Sequence, residues 1–403
     1  MQFTPETPRA EATEVDSLTM RILITTPSYA PNKDGVAEAS RVMAEGLAAL
    51  GWEVWVATGY PFDGQPAAPS ERVKGVAVDR FRPVQDQAEE EIRRYQDFVR
   101  AGRFDVIVNQ CWEVWSTTLM QPLLSELQGT KVLVSHGYSQ HIYHWAATPM
   151  MGLGVWLRGL RWTLARFSLM IRRYDRLIFL SEKKDWGRFF DHSVATWIGH
   201  PGIEVVPNGT DPQLMPPDDR GFRAQHGIGS GPMVLCVANY FEGKNQKLAL
   251  RVFREAAIDW ATLVFIGSAL GAYGRGLLAD INRAAMTNVV VLENQSRDET
   301  LAAFAATDAF LLTSKAESQP IVLIEAMAAG VPWVSTDTGC VSTMPGGLTG
   351  TSSATLASHL RQVISDPELR RRLKDEATRA MASHYSSECT LAAFDRIFRS
   401  LLS

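Results

Sequence analysis

The sequence predicts an α/β protein built from two doubly wound domains with parallel sheets. Three observations predict it. Short apolar runs such as Arg21-Ile22-Leu23-Ile24-Thr25 and MVLCVA at 233–238 recur along the chain, each followed by a loop and a helical pattern. That is the rhythm of βαβ units. A chain of 403 residues exceeds one ordinary core and fits two. A hydrophobic content of 46% against 21% charged residues can fill both. The expected division is a disordered polar tail over 1–18, a first domain over 19–210, a second over 211–385 and a helical segment over 386–403. Pro207, Pro212, Pro216 and Pro217, with Asp218 and Asp219, mark the linker.

Composition removes several function classes. A net charge of −4 argues against a nucleic-acid partner. Cys111, Cys236, Cys340 and Cys389 are scattered with no C-x-x-C pair, so neither a zinc site nor a disulfide framework is expected. A reducing, cytoplasmic setting follows. Nothing reads as a signal peptide, and no uncharged apolar run reaches the length of a membrane span.

In the first half, the strand at Arg21–Thr25 leads through TPSYAPNKDG to a helix from Val36 to Leu50, stopped by Gly51, and then to a strand from Trp52 to Ala57. Gly35 lets the backbone approach a ligand, and the helix behind it offers free N–H groups to a phosphate. The plainer alternative is an ordinary βα turn. Strands are expected at Phe104–Asn109, Lys131–Ser135 and Arg176–Ser181. The second runs into His136, placed at a strand end where an imidazole can meet a sugar hydroxyl; a purely structural His is the alternative. His141 and His144 lie nearby, but no carboxylate or Cys completes a metal set.

The stretch 145–173 carries Arg158, Arg161, Arg166, Arg172 and Arg173 and no acidic residue. At about 100° per residue these arginines share one arc of roughly 140°. Trp156, Leu160, Leu164, Phe167 and Ile171 lie opposite. Such a helix suits peripheral contact with an anionic membrane or an acidic acceptor. The alternative is a helix packed on its own domain with solvated arginines.

In the second half, the strand Met233–Ala238 feeds NYFEGKNQ and a helix from Lys247 to Ala257. Strands at Thr262–Gly267 and Val289–Leu292 follow, the latter ending at Glu293-Asn294-Gln295. Ser296 and Glu299 have capping-box spacing. The strand Ala309–Leu312 opens into a loop with Glu317. Pro320 is placed as the first helical residue, and the helix Ile321–Ala329 is apolar on every face but for Glu325. Gly330 and Pro332 end it, and Val331–Ser335 returns as a strand. A helix apolar all round is buried, and a bare buried charge is very costly, so Glu325 must be paired, hydrogen-bonded or protonated. Glu317 faces the carboxyl edge of the sheet, where such folds bind ligands. Two acceptors beside one helix N-terminus suit hydroxyl-rich ligands; a satisfied core Glu and a solvated loop Glu are the alternative. Further helices are expected around Asp366–Tyr385 and over Ser387–Leu402.

Glu317 and Glu325, with seven residues between them and AMAAGVP after the second, resemble the E-x7-E signature of the family-four retaining glycosyltransferases of GT-B fold. The resemblance runs from about Met20 onward. It implies two Rossmann-like domains facing a cleft, with 386–403 crossing back to the first. It further implies a nucleotide-diphospho-sugar donor on the second domain. Glu325 would hold the ribose, Glu317 the donor sugar and Lys244 the diphosphate, with His136 contacting the sugar and Gly35 approaching the phosphate on closure. Ser318, Gln319, Pro320, Ile321 and Asn294 would line the donor. Three positions depart from the family pattern. Asp34 stands where a glycine often precedes Gly35, Asn239 replaces the usual phosphate-clamping Arg, and Gln319-Pro320 replaces a glycine-rich run. Arg275 and Arg297 are candidate replacement cations.

The implied activity is retaining transfer of a sugar to an acceptor hydroxyl on a glycan, a lipid-linked molecule or a small molecule. The diphosphate oxygen would take the acceptor proton, and neither metal nor cofactor is called for. A nucleotide-sugar epimerase or hydrolase, or a non-catalytic scaffold subunit, are the rivals. The sequence names neither the sugar nor the base nor the acceptor. Placement in the cytoplasm, at the inner membrane face if 145–173 binds lipid, completes the expectation.

Overall fold

A computed structural model describes residues 19–61, 66–82, 89–138, 161, 164–185 and 187–402. The predicted tail and most of 145–173, with His141 and His144, lie outside the described residues. The first domain carries β1 (Arg21–Thr25), β2 (Glu53–Gly59), β3 (Ser70–Val73), β4 (Val76–Phe81), β5 (Val106–Gln110), β6 (Thr130–Ser135), β7 (Arg176–Phe179) and β8 (Ile203–Val205). They form one sheet in the order β3-β4-β2-β1-β5-β6-β7-β8. Every pairing is parallel except β3 with β4. The second domain carries β9 (Met233–Val237), β10 (Thr262–Gly267), β11 (Val289–Glu293), β12 (Ala309–Leu312), β13 (Trp333–Thr336) and β14 (Gly347–Gly350). Its sheet is parallel throughout, in the order β11-β10-β9-β12-β13-β14.

Consecutive burial explains the parallel sheets. Ile22, Leu23 and Ile24 are all fully buried, as are Val234 and Leu235. That requires helices on both faces. Ile24 packs on one side with Met43 and Leu47 of the helix Gly35–Ala49, while Leu23 packs on the other with Tyr95 and Phe167. The strand order reverses between β1 and β5 in one sheet and between β9 and β12 in the other. At such reversals adjacent loops diverge and leave a crevice.

The structure corrects several expectations. The β3–β4 pair and the helices Glu89–Ala101 and Ser353–Ser365 go beyond the elements expected from sequence. Pro320 caps the helix Ile321–Ala328 rather than beginning it, with an extended ψ of 117°. The expected 366–385 helix is an α-helix over Pro367–Ala380, N-capped by Asp366 and continued by five π-helical residues, Met381–Tyr385. Over 164–171 the apolar face serves the domain itself: Phe167 and Ile171 are buried in its core. Arg172 and Arg173 donate to the carbonyls of Ile198 and Gln121. Leu169 of that stretch is 67% exposed. Among the described residues no helix is long and apolar enough to cross a membrane.

The helix Ser387–Ser400 packs on the first domain. Phe394, Ile397 and Phe398 are buried with Ile24, Met43 and Leu47, each such side chain worth about 1.5–3 kcal/mol of burial. Trp52 Nε1 donates to Asp395 at 2.7 Å. The chain thus crosses between the domains twice, and the crossings pair. Thr210 N donates to Tyr385 O at 3.0 Å and Ser387 N to Thr210 O at 2.9 Å. Gly209 permits this, since a Cβ there would lie 2.4 Å from Thr390 Oγ1 and 2.6 Å from Ser386 O.

Candidate active site

The loops after β9 and β12 meet at the reversal of the second sheet. After β9 the chain makes a 3₁₀ turn, Glu242–Lys244, ended by Asn245 in the left-handed region at φ 54°, a conformation Asn tolerates better than most residues. Thr313 Oγ1 donates to Asn245 O at 3.0 Å and Lys315 N to Gly243 O at 2.8 Å, tying the two loops together. Lys244 Nζ consequently reaches Glu317 Oε1 at 2.6 Å. The Glu317 amide is fixed by Thr338 Oγ1 at 3.1 Å. Both side chains are only partly buried, so the pair can reach a ligand in the crevice.

Glu325 sits one turn into the helix Ile321–Ala328, 3% exposed, and is bonded by Arg297 Nη1. Burial raises its carboxyl above the usual range, and the Arg297 guanidinium opposes that rise. Arg297 opens the helix Arg297–Ala305, whose N-terminus closes in the expected capping box of Ser296 and Glu299. Its Nη2 is buried without a hydrogen-bond partner among the described residues. Glu38, across the cleft on the first domain's helix, is held below the usual carboxylate range against its burial, mainly by its bonds to Arg41 and less by the charge of Arg297. Arg275 is exposed on the helix Gly271–Arg283.

From the first domain, the helix Gly35–Ala49 aims its N-terminus at the same place. A Cβ on Gly35 would lie 3.8 Å from Ile321 Cδ1, so the two helix starts face each other across the cleft. Asp34 accounts for the departure from a glycine pair: its Oδ1 accepts from Val36 N and Ala37 N at 3.0 and 3.1 Å. Ser28 Oγ donates to its other oxygen at 2.5 Å. This is an N-cap, and it takes up N–H groups that a phosphate would otherwise use.

His136 follows β6. Burial, with Arg188 nearby, lowers its pKa to about 4, so the ring is neutral at physiological pH. Gln110 Oε1 lies 2.8 Å from Nε2. An amide oxygen only accepts, so the proton resides on Nε2 and Nδ1 is left as an acceptor. In that tautomer the ring presents an acceptor, not a donor, to a ligand hydroxyl. The corner behind it is held by residues the sequence reading passed over. Gly137 is at φ 92°, and its N–H donates to Ser135 Oγ at 3.0 Å. Ser135 in turn bonds Asp191, which Trp112 Nε1 also reaches at 2.8 Å. Asp191 is fully buried, and burial raises its carboxyl.

Of the other expected donor-lining residues, Ser318, Gln319 and Pro320 are buried, and the first two send their side chains to the first domain. Gln319 Nε2 donates to Leu180 O at 2.9 Å, and Asn208 N donates to Gln319 Oε1 at 2.7 Å. Asn239 is exposed, and its carbonyl accepts from Gln246 Nε2 at 3.0 Å. Asn294 is exposed at φ 54°, with its N–H on Gly267 O at 2.8 Å, beside the end of β11. Lys244, Glu317, Glu325, Ile321 and Gly35 therefore converge, while Asn294 and Asn239 border them on neighbouring strand ends. Among the described residues no three His, Cys, Asp or Glu side chains gather as a metal site.

Two α/β domains on largely parallel sheets, joined by paired crossings, have the architecture of the GT-B fold. The sequence profile of the 4-like glycosyl transferase domain matches residues 34–185, and that of glycosyl transferases group 1 matches 218–380. Together they span well over half of the chain, which belongs to this family-four-like group of glycosyltransferases. Solved structures agree on the fold. The sucrose-phosphate synthase of Thermosynechococcus elongatus superimposes with a TM-score of 0.75 at 18% identity, covering 95% of this chain and 99% of its own. Anabaena HepE in complex with UDP and glucose gives 0.72 at 16%, covering 94% and 100%. The α,α-trehalose 6-phosphate synthase of Burkholderia multivorans gives 0.68 at 14%, covering 96% and 99%. No curated protein matches the chain significantly.

Proposed function

We propose that this glycosyltransferase is retaining and metal-independent, and takes a nucleotide-diphospho-sugar as donor. The observation that carries the reading is the Lys244–Glu317 pair at the β9/β12 reversal, beside the start of the helix Ile321–Ala328. In this reading Glu317 accepts hydroxyl hydrogens of the donor sugar near the anomeric carbon. Glu325 accepts from the ribose, exchanging part of its bond to Arg297. The Lys244 ammonium and the helix N–H groups lie where negative charge grows as the diphosphate leaves, the placement that lowers a barrier most. The bond from the anomeric carbon to the phosphate oxygen breaks. The acceptor oxygen attacks from the same face, and its proton passes to the departing oxygen. His136, neutral and with Nδ1 accepting, takes a hydrogen bond from a sugar hydroxyl.

Complexes of HepE with UDP and with UDP-glucose make uridine donors the first to test. A thermal-shift panel of UDP-, GDP- and ADP-sugars on the full chain is expected to give stabilisation by one base. NMR of the product formed with sugar acceptors then reads the anomeric configuration. Inverted product would overturn retention. Absence of a shift with every donor would favour a scaffold, and complete conversion of donor without acceptor would favour a hydrolase or epimerase.

A further inference from the structure

We infer that Gln319, with Ser318, is a positioning residue that makes the placement of Glu317 depend on closure of the two domains. The inference rests on the transferase reading above. Glu317 belongs to a loop of the second domain, yet the next two side chains bond the first. Gln319 spends both ends of its amide there: Nε2 on Leu180 O at 2.9 Å, Oε1 on Asn208 N at 2.7 Å. Ser318 Oγ accepts from Arg188 Nε at 2.8 Å and donates to the carbonyl of His136. The same loop is held from behind by Gly339. Lys183 Nζ of the first domain donates to Gly339 O at 2.5 Å. Cys340 N donates to Ser318 O at 2.9 Å. A Cβ on Gly339 would lie 2.3 Å from Glu317 O, so that backbone and the Glu317 peptide are in contact.

The polar chemistry makes this a coupling rather than a glue. Gln319 and Asn208 are 6% and 8% exposed. When the cleft opens, water takes over the four partners, so each bond biases closure by only roughly 2- to 10-fold net of solvation. A contact of that strength is reversible on the time scale of turnover, unlike a packed apolar interface. When the domains part, Glu317 keeps Lys244, the Thr338 hydroxyl and the Gly339 backbone, and loses the bonds by which residues 318, 319 and 339 reach the first domain. The partner carbonyl of Ser318 is that of His136, so the sugar-contacting His and Glu317 come into register by one closing motion.

The test compares Gln319→Met, which keeps the shape and removes both bonds, with Gln319→Glu, which keeps the acceptor for Asn208 N–H and loses the donor to Leu180. Ser318→Ala is the milder third variant should either fail to fold. UDP release from UDP-glucose is measured on the full chain, together with melting temperature and the radius of gyration from small-angle X-ray scattering with and without UDP. For Gln319→Met the expectation is a fall in kcat of roughly 10-fold or more, as two lost bonds dictate. KM for UDP-glucose should stay within about 3-fold, because the donor sits on the second domain, and UDP should compact the variant less than the wild type. Gln319→Glu is expected to fall at least as far as Gln319→Met, because its second carboxylate oxygen would face the Leu180 carbonyl in a buried site. Wild-type kcat and wild-type compaction in Gln319→Met, or in Ser318→Ala if only that folds, would overturn the inference. Equal loss of kcat and melting temperature would assign Gln319 to folding alone. A wild-type protein that binds none of the UDP, GDP or ADP donors would instead bring down the functional reading.

Discussion

Replacing Lys244 by Met tests the chemistry most directly. In the resting protein Lys244 Nζ stands 2.6 Å from Glu317 Oε1, with side chains 26% and 12% exposed. At an effective dielectric of 20, unit charges 4 Å apart attract by about 4 kcal/mol, but desolvation cancels most of that. For a pair this open to solvent the net worth is about 1 kcal/mol or less. The melting temperature should therefore fall by only about 2–4 °C. Turnover should respond on another scale. In the proposed reading the ammonium faces charge developing on the leaving group, and loss of one such stabiliser costs about 100- to 1,000-fold in kcat. Glu317→Gln should be similarly slow. The double variant should be about as slow as the worse single, since groups that act as a unit are not additive. Initial rates of donor consumption, with the nucleotide-sugar identified by thermal shift, provide the assay. A Lys244→Met enzyme within a few-fold of wild type, or a double variant showing the product of both losses, would refute the assignment.

Two further outcomes are expected. Arg297→Ala leaves the Glu325 carboxylate buried without its cation, and should destabilise the protein by about 1–3 kcal/mol at pH 7.5, below the full cost of breaking a buried pair because Arg297 is 39% exposed. Burial already holds Glu325 above its unfolded pKa, so the penalty applies where the folded group is ionised and is relieved as pH falls through its raised pKa. Melting curves should show the gap from wild type narrowing toward pH 5, and a gap that widens would contradict the arrangement. Phe398→Ala removes a fully buried ring that stacks on Phe394, and should cost about 3–5 kcal/mol. Chemical denaturation that places the loss under about 1 kcal/mol would mean that the helix Ser387–Ser400 does not hold the first domain together.

Much of the fold was legible because the parallel strands are buried on both faces and stand out as continuous apolar runs. Arg21–Thr25, Thr262–Gly267 and Ala309–Leu312 are found where the sequence puts them. The β3–β4 pair was not, since Ser70–Val73 is an exposed edge with Glu71 and Arg72 on it and no apolar run to read. The helix Glu89–Ala101 escaped notice for a related reason, being charged over most of its surface. In the site, Glu317 and Glu325 were singled out from their spacing and placement in one local stretch, and Lys244 from the family resemblance alone. Arg188, Asn208 and Lys183 were not, because their partners lie more than a hundred residues away and only the meeting of the two domains brings them together; Asp191 was not, because Ser135 and Trp112 reach it from other strand ends of its own domain, 56 and 79 residues away. Asp34 shows the same limit at short range. Its residue type was visible, but its service as a cap rather than a phosphate contact depends on backbone angles.

The paired crossings at Thr210 and Ser386 carry a consequence for biosynthesis. Domains generally fold in the order in which they leave the ribosome. Here the lobe translated first cannot finish, because Phe394 and Phe398 belong among its own aliphatic side chains. Until those rings arrive, Ile24, Met43 and Leu47 lack the apolar neighbours that the last helix supplies. The region that binds donor in the reading above is thus made, and free to fold, before its elder neighbour is sealed.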